Sequence, residues 1–61
     1  MRRRDLELRL RELGWSLLRQ GGRHDVWTDG ARLEYLPRHA EVNERLARRI
    51  LSKAASKKES E

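Results

Sequence analysis

The stretch "RQGGRHDVWTDGARLEYLP", residues 19–37, decides the fold, because its apolar and polar residues alternate with the period of a strand and are punctuated by turn residues. "HDVWT" is rich in strand formers, with His24, Val26 and Thr28 on one side and Asp25 and Trp27 on the other. "DG" at 29–30 is among the strongest two-residue hairpin signals, since both residues tolerate positive φ. "ARLEYLP" resumes the alternation with Leu33 and Tyr35 together, and Pro37 ends that strand by removing a ladder donor. Upstream, "WSLLRQ" places Trp15, Leu17 and Arg19 on one face and Ser16, Leu18 and Gln20 on the other, and Gly21 and Gly22 follow as a turn or bulge signal.

Outside these three strands the period changes. In "DLELRLRELG" the leucines at 6, 10 and 13 recur on one helix face, which predicts a helix over 4–13, with Asp5 as its cap and Gly14 closing it in a left-handed conformation. Leu8 falls off that stripe. "NERLARRILSKAA" puts Val42, Leu46, Ile50 and Ala54 at near-helical spacing, with Asn43 as the N-cap. The order is helix, three antiparallel strands, helix. Two amphipathic helices bury their stripes most economically on one face of a three-stranded sheet, so the expected class is α+β, in the layout of a double-stranded-RNA-binding domain. Residues 1–54 form the single expected domain and 55–61 a frayed tail.

Composition narrows the chemistry. A chain of 61 residues buries only roughly 60% of the surface its unfolded form exposes, so stability is modest. With no cysteine, neither a disulfide nor a thiolate zinc site supplements the core, and two histidines cannot complete a metal site without several carboxylates. No cofactor is expected. No apolar run approaches a membrane span and "MRRRDLEL" lacks a signal-peptide core, so the expectation is a cytoplasmic protein with no membrane partner. The net charge is +5, and twelve of the fifteen basic residues are arginine, whose planar fork suits phosphate; nucleic acid is the first partner to consider and an acidic protein the second.

His24 is the candidate for catalysis. Gly21, Gly22, Arg19 and Arg23 around it combine backbone that can approach a ligand closely with guanidiniums that hold phosphate. An imidazole beside a held phosphate is what general acid–base cleavage of RNA requires. A polar residue that faces water at a strand start is the plain alternative. Arg38 and His39, directly after Pro37, approach the same edge if the third strand lies beside the second. The RNA-binding set is therefore Gly22, Arg19, Arg23, Arg38 and His39. Only one of Val26 and Trp27 can face the helices; with Val26 in the core, Trp27 is exposed and, with Tyr35, reads as a partner interface or a base-stacking platform.

Taken together, "LRELGW", "RQGGRHDVW", "YLPRH" and "EVNERLARRIL", in this order and spacing over about residues 5–54, resemble the HicA family of bacterial toxins, the mRNA interferases of HicA–HicB toxin–antitoxin modules. The resemblance implies a metal-independent endoribonuclease acting on mRNA, neutralised in a hetero-oligomer by a HicB-type antitoxin. It also implies that His24, in a glycine-X-histidine turn that starts at Gly22, is catalytic. Where family members commonly have serine between glycine and histidine, this chain has Arg23. Two other readings stay open: a non-catalytic RNA-binding module, and an interaction protein that binds only its partner.

Overall fold

The computed structural model describes residues 1–56 and places α1 at Arg3–Glu12, β1 at Ser16–Gln20, β2 at His24–Thr28, β3 at Leu33–Pro37 and α2 at Glu44–Ala55. The strands form one antiparallel sheet in the order β1-β2-β3, as a meander with short turns must. Opposite residues in neighbouring strands share a face, so the pairings Trp27–Glu34 and Asp25–Leu36 set an inner face and Val26–Tyr35 and His24–Pro37 an outer one. The core joins Trp27 and Leu36 of the inner face to Leu6 and Leu10 of α1 and to Ala47, Ile50 and Ala54 of α2. Both helices therefore cover the same side of the sheet, the α+β architecture that the sequence pattern predicts.

The face assignment of β2 is where the structure corrects the sequence. Trp27 is 1% exposed, inside the core, and Val26 lies on the outer face, screened by its neighbours without joining the main cluster. Covering about 200 Å² of indole at ~25 cal/mol per Å² contributes about 5 kcal/mol, far more than a valine offers. The indole Nε1–H is left without a hydrogen-bond partner, which costs about 1–3 kcal/mol, so the balance still favours burying the tryptophan. Arg11 of α1 stacks over this ring at 5.1 Å from its centroid. Trp27 is thus unavailable as a partner-interface anchor, whereas Tyr35 is exposed as expected.

The helix ends show which local signals prevailed. Asn43 caps α2 as its sequence position suggests, its side chain accepting from the backbone N–H of Arg45 and Leu46. Ala47 replaces Leu46 on the buried stripe, and Leu46 sits at the rim. The N-cap of α1 is Arg2, with no side-chain cap; Asp5 lies in the first turn, where its charge faces the positive end of the helix dipole. In place of a side-chain cap, tertiary pairing holds the start of α1: Arg3 N–H donates to the Ala40 carbonyl at 2.8 Å and Arg2 forms a β-bridge with Glu41. Gly14 closes α1 with φ +93°. Leu13, expected on the buried face, is exposed at the C-cap. Ala55, assigned from sequence to the tail, is the last residue of α2; residues 57–61 of that stretch lie outside the described residues.

The two ends of the sheet are built differently. At one, the Asp29 carboxylate accepts from the backbone N–H of Ala31 at 2.9 Å and of Arg32 at 2.7 Å, folding residues 29–32 over Gly30 at φ +101°. Arg32 then reaches α2, donating to the carbonyls of Lys53 and Ala54, while its guanidinium stacks on Trp15. The other end carries the candidate site. β1, an edge strand, has all five residues exposed and a bulge between Leu17 and Arg19, so Leu18 is left over in the register with β2. Among the described residues, no helix is long and apolar enough to cross a membrane.

Candidate functional site

The β1–β2 turn is tight. Gly21 N–H donates to the His24 carbonyl at 3.0 Å, leaving only Gly22 and Arg23 between the paired residues. A Cβ on Gly21 would sit 2.4 Å from the His24 carbonyl oxygen, an approach no side chain tolerates without backbone movement. Gly22, two residues before His24, faces open space. The steric requirement for glycine in this turn therefore falls at Gly21, not at Gly22.

His24 pairs with Pro37 across β2 and β3, so the residues that follow Pro37 lie beside the turn. Gly22, Arg23, His24, Pro37, Arg38 and His39 line one open cleft of about 410 Å³. Five of the six residues assigned from sequence to catalysis or RNA binding thus converge on one place. Arg19 is the exception: it stands opposite Val26 on β1, on the same outer face as His24 but outside the cleft. Tyr35 flanks Val26 on the other side and is 56% exposed, so the row Arg19, Val26, Tyr35 crosses the outer face next to the cleft.

Beneath the cleft is a carboxylate that sequence reasoning passed over. Asp25 points to the helix side of the sheet and is 1% exposed. Its Oδ2 accepts from Arg3 Nη2 at 2.6 Å, and its Oδ1 lies 3.6 Å from Arg38 Nε. Arg38 also donates through Nη1 to the Gly21 carbonyl at 2.9 Å, which ties the loop after β3 to the turn before β2. Arg3, whose second acidic neighbour is Glu7, joins α1 to the same centre. Once Trp27 is known to be buried, strand alternation puts Asp25 on the same inner face, where a carboxylate must find a cation; the sequence alone does not supply that face.

On the far side of Arg3 lies a groove of about 400 Å³ lined by Arg2, Arg3, Arg4, Glu7 and Ala40. Among the described residues no carboxylate pairs with the side chains of Arg2 or Arg4, and no group of three His, Cys, Asp or Glu is placed to hold a metal ion. No family model, no curated protein and no solved structure matches the chain. The chemistry of the cleft therefore has to speak for itself: two imidazoles and two guanidiniums on one open surface suit an extended polyanion, with groups able both to neutralise a phosphate and to move protons beside it.

Proposed function

We propose that this chain is an mRNA-cleaving ribonuclease, the toxin of a type II toxin–antitoxin module of the HicA kind, acting in the cytoplasm and restrained by a HicB-type antitoxin. The observation that carries the reading is the convergence of His24, His39, Arg23 and Arg38 on one cleft. RNA lies along it with a phosphodiester against Arg23 and Arg38, which neutralise the charge that builds on the non-bridging oxygens in the transition state. One imidazole takes the proton of the 2'-hydroxyl, whose oxygen attacks phosphorus. The other protonates the departing 5'-oxygen, leaving a 2',3'-cyclic phosphate and a 5'-hydroxyl. His24 and His39 are the two proton carriers, and the substrate's own hydroxyl is the nucleophile.

Arg19 belongs to the approach surface, not to the cleft, and adds to the salt-dependent attraction for phosphates. Tyr35, with Leu33 also exposed on the outer face, is the surface offered to the antitoxin; it also supports the second reading, a non-catalytic single-strand binder that stacks a base on Tyr35. The deciding experiment is cleavage of a long single-stranded RNA by the wild-type chain and by His24→Ala, in EDTA and at matched RNA occupancy. The variant should lose about 10²- to 10⁴-fold in rate and keep its fold. RNA bound by both proteins and cut by neither would replace the enzyme with the binding module.

A further inference from the structure

Asp25 is the single buried charged residue among the described residues, and its position is hard to explain by packing alone. A desolvated carboxylate costs several kcal/mol unless it is well paired, and a leucine in its place would give the core apolar area at no such cost. Only one of its oxygens is well served, the Oδ2 held by Arg3 at 2.6 Å. Oδ1 accepts no hydrogen bond and faces Arg38 Nε at 3.6 Å. Arg38 meanwhile stands on a short loop, with its side chain 42% exposed at the cleft wall. A side chain of this length carries rotamer entropy that a ligand would otherwise have to freeze. Two anchors already restrict it: the Gly21 carbonyl on Nη1 and the Asp25 charge behind Nε.

We infer that Asp25 is a positioning residue, which fixes the Arg38 guanidinium from beneath as a preformed ligand for an oxyanion, the phosphodiester of the RNA proposed above. The choice of ligand rests on that proposal; the ordering of Arg38 does not. The arrangement also explains why the acid lies one residue from His24: strand alternation puts the imidazole on the outer face and the carboxylate on the inner face, so one short segment supplies both a proton carrier and the anchor for its neighbouring cation.

The test uses two readouts on one set of proteins. The first is the order of the Arg38 Nε–H, by nitrogen-15 relaxation without ligand; the second is affinity for a single-stranded RNA at fixed salt. In Asp25→Asn the Arg38 signal should become mobile and RNA affinity should fall about tenfold, because the ligand must then order that side chain itself. Adding Asp25→Asn to Arg38→Ala should cost nothing further, because the anchor acts only through that arginine. Should Asp25→Asn fail to fold, Asp25→Leu combined with Arg3→Met removes the buried pair together and carries the same expectations, while Arg3→Met alone keeps Arg38 ordered. An equally ordered Arg38 without Asp25, or additive losses in the double variant, overturns the inference. If Arg38 is ordered only with Asp25 present yet the wild-type chain does not bind RNA, the positioning role stands and the RNA reading falls.

Discussion

Two aspartate–arginine centres lie near opposite ends of the sheet, and they are spent in opposite ways. At the β2–β3 turn Asp29 and Arg32 use up their capacity within the fold: the carboxylate holds two backbone N–H groups, and the guanidinium holds Asp29, the last carbonyls of α2 and the face of Trp15. At the other end Asp25 is buried where Asp29 is near the surface, and its partner Arg38 is anchored on one side only and left open to the cleft. The same two residue types build a joint in one place and a poised ligand group in the other. What separates them is whether the arginine meets helix-end carbonyls or stops at the edge of a turn.

The largest effect that tests this contrast is on the strand that connects the two ends. Trp27→Ala should cost about 3–5 kcal/mol in urea unfolding, enough to unfold much of so small a domain, whereas Tyr35→Ala should stay within about 0.5 kcal/mol; equal effects would undo the face assignment on which both centres depend. Next comes the turn itself. Gly21→Ala should destabilise by about 1–3 kcal/mol because its Cβ meets the His24 carbonyl, while Gly22→Ala should be close to neutral. Arg32→Ala should then cost about 1–2 kcal/mol of stability and little RNA affinity, with Arg38→Ala showing the reverse pattern. If the two arginines behaved alike in both measurements, the distinction drawn here would be wrong.

The smallest effect is a pH dependence. The backbone N–H of Arg32, then that of Ala31, then the Arg32 side chain lower the Asp29 carboxyl from its ordinary 3.8 to about 2. A group depressed in the folded state stabilises fully above its unfolded value and loses that contribution as pH falls through the folded one. The joint should therefore weaken from about pH 4 down to about pH 2. Urea midpoints of wild type and Asp29→Asn should converge over that interval and run parallel above it.

Most of the fold was legible because its signals are local. The Asn43 cap, the Gly14 stop and the two changes of period each follow from neighbours within a few residues and stand in the structure; the Asp29-Gly30 signal marks the right place for the turn, but the loop takes four residues, 29–32, not two, because the Asp29 carboxylate holds the backbone of Ala31 and Arg32. The face of β2 was not legible in that way: alternation says that Val26 and Trp27 are opposed, but only the space under two helices decides which is buried. The grouping of His24 with Arg38 and His39 was within reach because Pro37 ends β3 opposite His24. Asp25 and Arg3 were out of reach for the converse reason, since 22 residues separate them and only the packing of α1 under the sheet brings them together.

The bulge at Leu18 bears on how the chain meets other extended chains. An open sheet edge is a template onto which any extended chain can add, and β1 is such an edge with two leucines on it. The extra residue breaks the repeat of donors and acceptors halfway along the strand, and Arg19 directly beyond it sets a charge there. A growing fibre would have to reproduce that interruption in every copy. The irregularity thus makes this edge a poor template for a second copy of the chain.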